Sequence, residues 1–151
     1  MNSLFDSAKR EELINRINKL TPESKAVWGK FSIGEMLCHC ADGIKMATGE
    51  LEVKDKSTFL FRHVVKPLVI YVLPMPKGAP TADEINPTIS GTKPSEFEAD
   101  RQALLDSIKN LYSLPANHIW ANHAAFGRLS HQQWGLLHYK HIDHHLKQFG
   151  V

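Results

Sequence analysis

The sequence predicts an all-α fold: a four-helix bundle with an inserted short helix and a long proline-rich loop. Three observations point there. Apolar residues recur at intervals of three and four in separate stretches, Ser or Asp residues that open helices stand before those stretches, and no stretch alternates apolar and polar with period two. At 151 residues, 42% of them hydrophobic, the chain can build one core but not two, so residues 1–151 read as a single domain.

Asp6 or Ser7 opens the first helix, Leu13, Ile14, Ile17 and Leu20 share its face, and Thr21-Pro22 closes it. A connector runs through Trp28-Gly29-Lys30. Ser32 then opens the second helix, with Glu35 three residues on at the spacing of a capping box. Ile33, Met36, Leu37, Cys40, Ile44 and Ala47 form its apolar stripe, and Gly49 is its stop. Phe59 to Leu73 reads as a short apolar helix, kinked or restarted at Pro67. Pro74 to Pro94, dense in proline and carrying Gly78 and Gly91, reads as a long ordered loop or flap, a kind of segment that is often functional. Ser95, with Glu98 three residues later, opens the next helix, whose inward residues are Phe97, Leu104, Leu105, Ile108 and Leu111. A second loop covers Pro115 to Leu129. Ser130 caps the last helix, which runs to about Phe149 with Gly150 at its end.

Charge and composition narrow the function. A net charge of +2, without a Lys/Arg run, is too small for an electrostatic grip on nucleic acid or on an anionic membrane. The first twenty residues lack a basic segment followed by an apolar stretch, so no secretory leader is expected. The apolar stretch Phe59–Leu73 falls short of the ~20 residues that span a bilayer. Cys38 and Cys40, two apart on a helix, point about 200° from each other and cannot pair. They are read as one buried and one half-exposed free thiol, and the expected compartment is the reducing cytoplasm.

Histidine is the outlier: nine occur, and seven fall in the last 34 residues. With Trp134 at 0° on the last helix, His141 falls at about −20° and His145 at about +20°, between Leu137 and Ile142. Two imidazoles one turn apart therefore sit at the centre of the face that should be buried, the arrangement of a chelating pair. Buried and unpaired they would each cost about 1–3 kcal/mol, and a metal ion supplies both with a partner. His39, at the edge of the second helix's stripe, is the third candidate ligand. The expected ion is divalent, zinc or nickel.

Beyond this, the string His141-Ile-Asp-His144-His145-Leu-Lys-Gln148 resembles the H-x-x-H-H-x-x-Q terminal-helix signature of the DinB/YfiT-like metalloenzyme superfamily. Phe31-Ser-Ile-Gly-Glu-Met-Leu-Cys-His39 resembles the same superfamily's second-helix stretch. Phe126-Gly-Arg-Leu-Ser130, Trp134-Gly135 and Gln148-Phe149-Gly150 resemble a branch of it that has no assigned function. The resemblance covers nearly the whole chain and departs from the simplest members at the Lys54–Pro94 insertion. It implies His39, His141 and His145 as the ligands, with His144 beside the site and Gln148 hydrogen-bonding a ligand or substrate; Trp134 shares their helix face. It also implies metal-dependent transfer of a low-molecular-weight thiol, a mycothiol-dependent isomerisation, or hydrolysis.

Three imidazoles leave a fourth coordination position open, where bound water has its pKa lowered toward ~7 and a thiol is deprotonated. Glu35 and Asp42, each within a turn of His39, are the candidate acid–base residues; a bland role as surface carboxylates competes. His123 and His138 are a candidate second polar cluster at the mouth of the site, against simple loop and core roles. The leading expectation is a metal-dependent transferase or hydrolase acting on a small molecule, with neither nucleic acid nor membrane as partner, and a homodimer is a mild expectation. A non-catalytic metal- or haem-binding bundle is the alternative. Peripheral membrane association through Phe59–Leu73 is a minor third reading.

Overall fold

The computed structural model describes residues 1–115 and 117–151, so Ala116 of the second loop lies outside the described residues. It is mostly helical: α1 spans Ser7–Ile17, α2 Ile33–Thr48, α3 Phe97–Ser113 and α4 His131–Gln148. Among the described residues there is no strand, only an isolated antiparallel bridge between His123 and Gly127.

Local chemistry sets most of the helix ends. Asp6 caps α1 by accepting from the Lys9 N–H. Ser32 and Glu35 form a reciprocal capping box on α2, and Ser130 and Gln133 form another on α4. Gly49 ends α2 in the left-handed conformation, φ 85°, which a side chain would resist. Two sequence-based boundaries shift. The helical hydrogen bonding of α1 stops at Ile17, four residues before Thr21, because Asn18 caps it and Leu20 turns inward into the core. Ser95 does not cap α3. Its N–H and hydroxyl both go to the buried Asp100 carboxylate, and Glu96 takes the cap position without a side-chain bond.

α2 is the central element, packing most extensively along α3 and also against α4, while α1 lies on α4. Leu37, Ile44, Leu104, Ile108, Leu111, Trp134 and Ile142 are among the side chains buried at the centre. Close approach of the N-terminal segment to α4 relies on Gly135: the Leu4 N–H donates to its carbonyl at 3.0 Å, and a Cβ there would collide with Ser3 and the Phe5 ring. Arg16 ties α1 to the end of α4, bonding Asp143 at 2.7 Å and the Val151 carbonyl at 2.9 Å. Both cysteines are buried, a correction for the half-exposed thiol expected: Cys38 is covered on the side where α3 brings Asp100 against α2. Burial pushes the Cys38 thiol up to about 12 and the Cys40 thiol up as well, so both are inert at neutral pH.

The inserted segment divides in two. Phe61–Val65 and Leu68–Val72 form π-helical turns either side of Lys66-Pro67, so the helix continues through the proline with a widened register. Pro74–Pro94 holds a single 3-10 turn, Asp83–Ile85, and is strapped across α2. Asp42 accepts both the Thr92 N–H and the Thr92 hydroxyl at 2.8 Å. No described helix is long and apolar enough to cross a membrane.

Replacing Ile108, fully buried where α3 meets α2, with Ala is expected to cost about 2–5 kcal/mol, whereas Ser32→Ala, which removes half of a capping box, should cost ~1 kcal/mol. Urea unfolding midpoints at constant slope would measure both.

Candidate metal centre

Helical geometry presents His141 and His145 from adjacent turns of α4, and the packing of α2 on α4 brings His39 to meet them. The Nε2 atoms converge: 2.9 Å from His39 to His141 and 3.2 Å from His141 to His145, with one ligand atom from each ring lying within 4.8 Å of the others. The three rings stand at 80–81° to one another, so each aims an edge at a common point. Two nitrogens held tetrahedrally by one zinc ion at ~2.05 Å would be about 3.3 Å apart. The spacing fits.

The proton on two of the rings can be assigned from the other nitrogen. His39 Nδ1 lies 2.8 Å from the Ile85 carbonyl, which only accepts, so Nδ1 carries the hydrogen and Nε2 a lone pair. Gln148 donates its amide N–H to the Trp28 carbonyl at 2.8 Å, which turns its oxygen toward His145 Nδ1, 2.7 Å away. His145 must donate there, and its Nε2 too is a lone pair. Both lone pairs face His141 Nε2, which has at most one hydrogen to offer. Without a cation at least one pair of bare nitrogens is left in opposition; a single divalent ion accepts all three.

Electrostatics agree. Burial lowers the basicity of His39, holds His141 well below the ordinary histidine range together with His145 and His39 beside it, and takes His145 down to about 3. All three imidazoles are neutral at physiological pH, the state in which they ligate metals.

The other residues singled out by sequence fall in different places. Gln148 is buried and orients His145. His144 is half-buried, its ring 5.2 Å from that of His145 and 5.9 Å from that of Trp28. Asp42 is 1% exposed, and its oxygens are taken by Thr92 and approached by Lys45 at 3.8 Å. Glu35 bonds the Ser32 N–H at 2.8 Å in the cap of α2. Neither carboxylate has a hydrogen bond to the histidines. Trp134 shares their helix face but sits two turns away, where it stacks on His138 with ring centres 5.2 Å apart. His123 joins that pair, accepting the Ala125 and Phe126 N–H groups at Nδ1, so this second cluster belongs to the core. Burial lowers His123 to about 4 and His138 to about 3, and neither ring nitrogen of His138 has a partner among the described residues.

Three contributors were missed. The Ile85 carbonyl is backbone and has no signature in residue type. Phe31 packs 5.3 Å from the His39 ring and 6.2 Å from that of His145, and Trp28 has Lys77 Nζ 4.1 Å above its face. Their nearness in sequence to the N-terminus of α2 was the available clue.

A family model described as protein of unknown function (DUF1569) matches residues 3–150. No curated protein and no solved structure matches the chain.

The neutral core histidines make stability depend on acid. The unfolded His138 binds a proton below about 6.5, whereas the folded one does so only near 3, so stability is full above 6.5 and drains as pH falls between those values. His138→Phe is expected to flatten the dependence of unfolding free energy on pH in that window by up to ~1.4 kcal/mol per unit. Urea titrations of both proteins at several pH values would show it, and parallel curves would refute it.

Proposed function

We propose that this chain, which belongs to the DUF1569 family of proteins of unknown function, holds one divalent metal ion on His39, His141 and His145 and uses it to act on a small molecule. The observation that carries the reading is the convergence on His141 Nε2 of two lone pairs, those of His39 and His145, whose tautomers are set by Ile85 and Gln148. The order of helices, the terminal His-x-x-His-His-x-x-Gln string and the central α2 support a single-domain four-helix bundle of DinB/YfiT-like type, interrupted by the Lys54–Pro94 insertion. Imidazole ligands suit zinc or nickel.

When bound, the ion supplies a Lewis acid with an open position that lowers the pKa of a water or thiol occupying it. His39 and His145 are buried, whereas His141 is only half-buried, which supports an opening on the His141 side. Gln148 and the Ile85 carbonyl hold their rings in the ligating tautomer and orientation. Phe31 covers the His39 and His145 rings, and Trp28 with Lys77 offers an aromatic and cationic rim. Asp42 accepts from Thr92 of the strap and Glu35 from the N–H of Ser32 in the helix cap, which supports positioning roles for both. The reaction proposed is transfer of a low-molecular-weight thiol or hydrolysis, in a cytoplasmic protein.

Burial of two ligands also favours a second reading, a metal with a structural role. Haem is disfavoured, because nitrogens this close leave no room for a porphyrin between them.

Elemental analysis of protein without a purification tag should find one ion per chain. His141→Ala should abolish stoichiometric binding, and Gln148→Leu should weaken it by about 10–100-fold. In the cobalt-substituted protein, a low-molecular-weight thiol should shift the visible bands if it enters the open position. Bands indifferent to every thiol and anion, combined with a large fall in melting temperature on chelation, would favour the structural role. Failure to bind any divalent ion would remove the proposal altogether.

A further inference from the structure

Outside the histidine site, the helical segment Phe59–Val72 is the least conventional surface of the molecule. Phe59 is 78% exposed, Val72 70% and Leu60 57%, and Val64, Leu68 and Leu73 are exposed as well. The segment is nevertheless firmly held. Val69 and Ile70 are buried, the Lys140 ammonium of α4 donates to the carbonyls of Val69, Ile70 and Leu73 at 2.6–3.0 Å, and Gln133 donates to the Tyr71 hydroxyl. An anchored element thus presents a run of large apolar side chains to water, which free monomers rarely do without an interaction to serve.

Charge identifies the occupant. From Lys56 to Leu73 the sequence has no Asp or Glu, while it carries Lys56, Arg62, His63 and Lys66. Asp55, which pairs with Arg62 at 3.4 Å, lies at the border of this stretch. A second copy docked about a two-fold axis would set one basic flank against another. An anionic lipid surface satisfies both features, taking the apolar side chains into the headgroup boundary and the basic ones against its phosphates. Because no described helix can cross a membrane, the attachment is peripheral. We propose that the Phe59–Leu73 segment seats this protein on the surface of an anionic bilayer. The scattered basic residues beside the segment count for more than the modest overall charge of +2, because electrostatic attraction at ordinary salt acts over roughly 10 Å.

Cosedimentation of the intact chain with vesicles tests this. Binding is expected to phosphatidylcholine vesicles containing about one-third phosphatidylserine, and to weaken roughly tenfold or more on phosphatidylcholine alone or at high salt. The Phe59→Glu/Val72→Glu double variant should lose vesicle binding while keeping the wild-type melting curve, since both side chains already stand in water. Leu60→Glu provides an independent check. Absence of binding to anionic vesicles overturns the proposal, and so does a folded double variant that binds as well as wild type. A concentration-dependent dimer broken by the same substitutions, without vesicle binding, would give the face to a second copy and likewise overturn it.

Discussion

Two imidazole lone pairs aimed at a third ring nitrogen are the constraint around which this molecule is organised. Neutral nitrogens 2.9 and 3.2 Å apart repel unless a proton or a cation stands between them, and the protein has removed most of the proton option. It does so through the remote side of each ring. The Ile85 carbonyl holds the hydrogen of His39, and Gln148, itself oriented by the Trp28 carbonyl, holds that of His145. Burial adds to the effect by penalising imidazolium. What remains is a set of donors suited to a metal ion and poorly suited to anything else.

Much of the surrounding structure makes sense as support for that set. α2 and α4 must keep a fixed separation for the three nitrogens to meet, and a well-packed interface between them resists the small shifts that would open the site. The proline-rich strap is tied twice to α2, once through His39 and once through Asp42, so the carbonyl that sets the tautomer of His39 is positioned by a bond from a carboxylate one turn farther along the same helix. Both Asp42 oxygens accept from Thr92 of the strap, and Glu35 accepts from the Ser32 N–H where α2 begins.

α4 carries several loads at once. Its inward face holds His141 and His145 and, within the two preceding turns, the Trp134–His138 stack; Lys140 satisfies the last carbonyls of the apolar segment; Asp143 receives Arg16 from α1. One helix thereby couples the histidine cluster, the exposed apolar surface and the N-terminal helix. Neutral histidines in its core stabilise the fold only while they stay unprotonated, because each would have to take up charge in a medium that disfavours it.

By itself the sequence determined the helices and the direction in which their side chains face. Capping signals at Ser32 and Ser130 are local chemistry, legible in four consecutive residues, and the 100° step of a helix places His141 and His145 on one face without reference to anything else. Angle is not depth, however, and Trp134 shares that face while lying about 10 Å along the axis from His141. Only the tertiary structure decided that Ile85 and Gln148 orient the rings, that Asp42 is spent on Thr92, that Asp100 draws Ser95 away from its cap, and that Phe59–Leu73 is left uncovered. Each of these depends on which distant backbone atom arrives beside a side chain, and every residue has the same carbonyl and amide. A pattern of residue types therefore announces a ligand set, whereas the partners that tune it come into being only when remote segments pack together.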